Sequence, residues 1–232
     1  MAEMRILALE TSTQRGDVAL LSSRHLVANG RLAADEMSSK MLVPTIHRLL
    51  SEANWRPDEL ELVAVGTGPG SFTGLRIGVM VAKTLAYTVG AEIVSVDTLR
   101  AIASHSKIES EPVWVVLDAQ RKQLFSQPFQ CEVGGDPIAT EQRQLIDAEQ
   151  WLSQLSEGQR ITGPGLIKLQ DRLPSFAALV DQTLWTPAAE TVGRLALADY
   201  ERGHRDDRWS LKPDYGRSSA AEEKLGRVQR RR

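Results

Sequence analysis

The sequence predicts an α/β chain built from two similar halves, each a mixed β-sheet flanked by helices. Three observations predict it. Each half opens on an apolar strand that closes on an acid: Ile6-Leu7-Ala8-Leu9-Glu10 in the first, Val113-Trp114-Val115-Val116-Leu117-Asp118 in the second. Each acid is followed by a polar turn and two further strand-like runs, the mark of an antiparallel meander. Each half then passes through a helical segment into a further strand and a glycine turn, Gly66–Gly70 in one and Gly163-Pro164-Gly165 in the other. Self-similarity at this scale points to duplication, and alternating strands and helices point to a layered α/β architecture. The halves divide as residues 1–107 and 108–221, the second with a last helix that packs back on the first, followed by a basic flexible tail over 222–232.

The elements follow in order. Residues 4–10 read as a strand, 11–16 as a polar turn, 17–21 and 26–34 as two more strands. Residues 38–54 read as a helix, because Leu42, Ile46, Leu49, Leu50 and Ala53 recur on one face. Pro44 falls inside it, removes one backbone hydrogen bond and predicts a kink. Strand 60–66, a glycine turn, helix 73–89, strand 92–96 and a short helix from Thr98 complete the first half. In the second half, strands are expected at 113–118, 123–130 and 138–145, a helix near 147–156 and a strand at 159–162.

The stretch Gly66-Thr67-Gly68-Pro69-Gly70-Ser71-Phe72-Thr73-Gly74-Leu75-Arg76-Ile77-Gly78 is the most distinctive in the chain. A strand, a glycine turn and a helix N-terminus can hold an anion, since free N–H groups and the helix dipole point outward there. The spacing is not that of a Walker loop, which needs a lysine after its last glycine, nor of the dinucleotide fingerprint. The stretch therefore reads either as a tight turn or as an anion cradle. Gly74, Gly78, Ala82 and Ala86 recur every four residues and form one narrow stripe of small side chains. Such a stripe admits close approach of another helix, in this chain or in a partner. The helix carries Arg76 and Lys83 and is too short to span a bilayer.

Composition narrows the function classes. The chain has 232 residues and a formal net charge of −2, so no global field draws it to nucleic acid. A single cysteine, Cys131, argues against a disulfide framework and suits a reducing cytoplasm. The opening apolar run is too short for a signal peptide, and no run of membrane length follows, so no membrane association is expected. The end, Lys224–Arg232, reads either as a solvated terminus or as an arm touching RNA phosphates nonspecifically.

These segments carry a family resemblance. The duplicated unit with its acidic first-strand end resembles the actin-like ATPase and sugar-kinase superfamily, with its ribonuclease H-like domains. The segment Gly68–Gly78 looks like the signature of one glycoprotease-like branch, the bacterial TsaB or YeaZ proteins. Ile6–Thr13, Leu117-Asp118-Ala119-Gln120-Arg121 and Pro213-Asp214-Tyr215-Gly216-Arg217 are similar to further elements of that branch. The resemblance covers nearly the whole chain. It implies a non-catalytic subunit, a paralogue of TsaD, in the complex that moves a threonylcarbamoyl group to the adenosine beside the tRNA anticodon. The implied partners are a TsaD-like catalytic subunit, a TsaE-like ATPase and, through the complex, tRNA. A homodimer is implied for the isolated chain. No cofactor of its own is expected, with ATP and metal on the partner.

TsaD-like relatives carry a His-x-x-x-His pair in the helix after the fifth strand, suited to sharing a metal. The matching positions here are Thr98 and Ile102, and His25, His47, His105 and His204 have no metal-pair spacing. No metal site and no catalytic residue are expected, and a metalloprotease reading fails on ligand count. A vestigial nucleotide cleft is outlined by Glu10, Thr11, Ser12, Asp118, Gly163 and Gly165. The alternative is that Glu10 and Asp118 accept backbone hydrogen bonds in their own turns. The competing function is a free-standing actin-like small-molecule kinase or ATPase. The partner interface is expected on helices 38–54 and 73–89, through Met37, Met41, Gly74, Gly78, Ala82 and Ala86, since methionine adapts to varied partners. There the family resemblance implies both TsaD contact and self-association.

Overall fold

The computed structural model describes residues 3–32, 38–106, 112–130 and 135–216. The basic tail expected over 222–232 lies outside the described residues. The first half runs β1 (Arg5–Glu10), β2 (Asp17–Ser22), β3 (His25–Arg31), α1 (Ser38–Glu52), β4 (Leu62–Gly68), α2 (Phe72–Val89), β5 (Glu92–Asp97) and α3 (Thr98–His105). The second runs β6 (Val113–Asp118), β7 (Gln123–Gln130), β8 (Ile138–Ala139), β9 (Gln144–Asp147), α4 (Ala148–Ser153), β10 (Arg160–Thr162), β11 (Ala178–Leu179) and α5 (Ala189–Glu201). The strand order is β3-β2-β1-β4-β5 in one sheet and β8-β7-β6-β10-β11 in the other, with β9 also on β7. In both, the meander pairs are antiparallel and the last three strands run parallel. The duplicated α/β architecture with a mixed sheet in each half is therefore observed.

The near-continuous apolar runs of β1 and β4 follow from a sheet covered on both faces. Leu7, Leu9, Val63 and Val65 point to the layer of α1 and α2. Ile6, Ala8, Leu62 and Ala64 point the other way, to Ala101 of α3 and Val192, Leu195 and Ala196 of α5. Thus α5 lies on the first sheet although it follows the second in sequence. Helix α3 serves both sheets, because Leu99 and Ile102 pack against Val113, Val115 and Phe125. Each fully buried leucine or isoleucine in these layers contributes about 1.5–3 kcal/mol. Helix α1 runs unbroken through Pro44.

A polar network ties the layers together. The Arg100 guanidinium donates to both carboxylate oxygens of Asp199, at 2.6 and 3.1 Å, and Arg202 bridges Asp199 and Asp136. Hydrogen bonds between charged groups in a half-buried fork are worth about 1.5–3 kcal/mol. Arg100→Ala is expected to lower stability by about 2 kcal/mol, read from the urea midpoint at unchanged slope.

The expected strand over 138–145 is split. Phe129 pairs with Ala139, whereas Ser126 pairs with Gln144, so residues 140–143 bulge from the ladder opposite Gln127 and Pro128. Pro128 has no N–H to give, which ends regular pairing there. A bulge re-aims side chains, and this one carries Arg143 out of the sheet. Residues 206–216 have no helix or strand, yet they return along α2 to the glycine turn.

Candidate functional site

The glycine turn closes onto the chain itself. Ser71 caps α2 with its Oγ accepting from Gly74 N–H at 3.3 Å, while Ser71 N–H donates to the Ser12 carbonyl at 2.6 Å. The turn after β1 therefore fills the mouth of the α2 N-terminus. The small stripe serves the same contact. A Cβ at Gly74 would collide with the Thr11 carbonyl oxygen, and one at Gly78 with Thr11 Oγ1. Ala82 and Ala86 sit fully buried over the first sheet. Gly74, Gly78, Ala82 and Ala86 are thus inside the subunit and open to no other chain. This corrects their assignment to the interface: the stripe admits the chain's own β1 turn. Met41 is half-buried against the α1/α2 core, and Met37 lies outside the described residues.

The two acids behave alike. Glu10 Oε1 accepts from Ser12 N–H at 2.6 Å, and Asp118 Oδ1 accepts from Gln120 N–H at 2.9 Å. Both are bonds to the second residue along, the backbone-turn alternative read from the sequence. Asp118 also accepts from Lys168 Nζ at 2.6 Å. Gly163 and Gly165 press on the β6 backbone, where a Cβ at either would meet the Val116 carbonyl. Glu10 is fully buried, and burial pushes its carboxyl up to about 7, helped by the charges of Asp17 and Asp97 and opposed by the Ser12 bonds. Its Oε2 faces Gly66 and has no hydrogen-bond partner among the described residues. Burial raises Asp17 and Asp97 as well, and lowers His105, whose Nε2 lies against Thr191 Oγ1. Thr98 and Ile102, the positions matching the histidine pair of TsaD-like relatives, are both fully buried in α3.

Leu75 and Val79 of α2 are buried with the glycine stripe, but the opposite face turns large side chains outward. Phe72 is 53%, Met80 65% and Tyr87 60% exposed, with Arg76 set over the Phe72 ring. Val43 of α1 is exposed too. Trp209 meets Tyr87 edge-on and Tyr215 stacks on Phe72 with centroids 4.4 Å apart. The result is an apolar surface with aromatic anchors and a cationic rim, the composition of a protein-binding patch. Sequence reasoning missed Phe72, Met80 and Tyr87. The available signal was the face opposite the glycine stripe, where Phe72, Arg76 and Met80 also recur every four residues.

The family described as TsaD, tRNA N6-adenosine threonylcarbamoyltransferase, matches residues 32–167. The tRNA threonylcarbamoyladenosine biosynthesis protein TsaB of Bacillus subtilis is 31% identical over 158 residues, covering 68% of each chain. The chain belongs to the TsaB family. The TsaB of Escherichia coli is 28% identical over 96% of this chain and 98% of its own. Among solved structures, YeaZ from Pseudomonas aeruginosa superposes with a TM-score of 0.78 and 25% identity, over 91% of this chain and 99% of that one. The chain thus shares its duplicated α/β fold with YeaZ over nearly the whole of both chains. No helix among the described residues is long and apolar enough to cross a membrane.

Proposed function

We propose that this chain acts in tRNA threonylcarbamoyladenosine biosynthesis as a non-catalytic scaffold or activating subunit, docking a TsaD-like catalytic subunit on the outer faces of α1 and α2. The exposed row Phe72, Met80 and Tyr87 on α2 carries the proposal. With Leu75 and Val79 buried beside the small stripe, three large side chains still stand in solvent on the opposite face of α2, and such a face suits a second protein. The non-catalytic reading is supported by the two acids, each held by its own turn and one also by Lys168. Those same bonds weigh against a free-standing kinase or ATPase. ATP and metal belong to the partner in this scheme, a TsaE-like ATPase joins the pair, and tRNA is met through the complex. The isolated chain, in the cytoplasm, pairs with a second copy through the same face.

The test is co-expression with the TsaD-like protein of the same organism, followed by size-exclusion chromatography and nucleoside analysis of tRNA. Met80→Glu is expected to fold normally, because the side chain is exposed, and to lose co-elution and the modified nucleoside together. A charge buried without a partner in an interface costs several kcal/mol, so at least a hundredfold loss of affinity is expected. Unchanged co-elution would overturn the docking assignment.

A further inference from the structure

Residues 206–216 lie along α2 as a strap. The segment is tied at one end by Asp206, whose N–H donates to the Ile93 carbonyl and whose carboxylate accepts from Ser95 N–H at 2.6 Å. Along its middle, Lys83 Nζ donates to the Trp209 and Leu211 carbonyls, at 3.1 and 3.0 Å, and Arg208 donates to the Ala86 carbonyl. At the far end Asp214 N–H donates to the Thr67 carbonyl at 2.7 Å.

That far end is a junction of three parts of the chain. The Asp214 carbonyl sits so close over Gly68 that a Cβ there would collide with it, and Gly68 itself has a φ of +117°. The loop glycine therefore admits the strap. Gly216 packs between Pro69 of the first subdomain and the Phe125 ring of the second. Arg143, thrown out of the second sheet by the bulge opposite Pro128, donates to Asp214 at 2.7 Å and to Asp97 at 3.5 Å. Its guanidinium also lies over Phe125. One half-buried cation from the second subdomain thus holds both the strap and the end of β5.

We propose that the strap is a latch: Arg143 fastens it across the cleft between the two subdomains, and the fastened strap holds Tyr215 against Phe72 on the outer face of α2. The face of α2 and the closure of the cleft are then set by one contact. Opening the latch frees the strap, the glycine turn beneath it and the Phe72 ring together. Few apolar side chains hold the strap, Leu211 being the one that packs on the core of the first half, so its polar fastenings govern its opening.

The latch is tested on the free full-length chain by hydrogen–deuterium exchange, which makes it independent of any partner and of the docking face. Wild type, Arg143→Ala and Asp214→Asn are compared at one pH. Both variants are expected to exchange at least about tenfold faster in 206–216 and in 67–72, while β2 and α5 keep their wild-type rates. Tyr215→Ala, which leaves Arg143 in place, is expected to speed exchange at Tyr215 and Phe72 but not at Asp206. Unchanged exchange of the strap in both latch variants would overturn the proposal, and so would a uniform rise through β2 and α5, since that would report a general loss of stability.

Discussion

Gly74→Ala is expected to lower the stability of this chain by about 3 kcal/mol or more, the upper range for overpacking a tight site. The added Cβ would overlap the Thr11 carbonyl oxygen. That atom is backbone and cannot swing aside, so either α2 or the whole β1 turn must move. The turn is not free to move, because Ser12 accepts from Ser71 at its carbonyl and donates to Glu10 at its N–H. Gly78→Leu should be worse, for its side chain must pass Thr11 into a filled core. Against a typical total of about 5–15 kcal/mol, the leucine variant is expected to accumulate poorly as folded protein. Urea denaturation of the alanine variant is the measurement, and an unmoved midpoint would show that α2 stands farther from the β1 turn than described. The contrast with Met80→Glu separates the two faces of one helix: the inner face decides folding, the outer one docking.

Glu10→Gln is expected to be about 3 kcal/mol more stable than wild type at pH 8 and to remove that much of the stability loss that wild type shows on going from pH 4.5 to 8. The carboxyl is raised by burial from 4.5 to about 7. Its neutral form is thus favoured by folding, and the native state binds more protons than the unfolded chain across that window. The contribution is full below pH 4.5 and is lost as pH rises through about 7. Between those two values the loss runs at roughly 1.4 kcal/mol per pH unit. Glutamine keeps the acceptor for Ser12 N–H and carries no charge to bury. Asp17 and Asp97, also raised by burial, leave a slope of the same sign. His105, lowered from 6.5 by burial, works in the opposite sense and loses stability on acidification. Denaturant unfolding of both proteins from about pH 5 to about pH 8 is the check, and parallel curves would mean that Glu10 stays ionised in the fold.

Much of the architecture was legible because it rests on local pattern. The apolar runs ending in Glu10 and Asp118 marked the first strand of each sheet, and the turns after them marked the meanders. What was not legible depended on contacts distant in sequence. The split of the third strand in the second half follows from Pro128 on the neighbouring strand. The strap carries no helical or strand periodicity, and its partners are backbone carbonyls, side chains of α2 and an arginine some seventy positions away. The glycine stripe was correctly seen as a site of close approach, but spacing alone does not say which neighbour approaches. Thr11 and an external helix would demand the same small side chains.

The sequence by itself determined the duplicated α/β fold, the family and the absence of a histidine pair at Thr98 and Ile102. These are properties of periodicity and residue identity, which need no third dimension. The tertiary structure alone decided which face of α2 is free. A helix shows the same stripe of glycines whether it seats a sheet or a partner, and only packing reveals that Gly74 and Gly78 are spent on Thr11 while Phe72, Met80 and Tyr87 face outward.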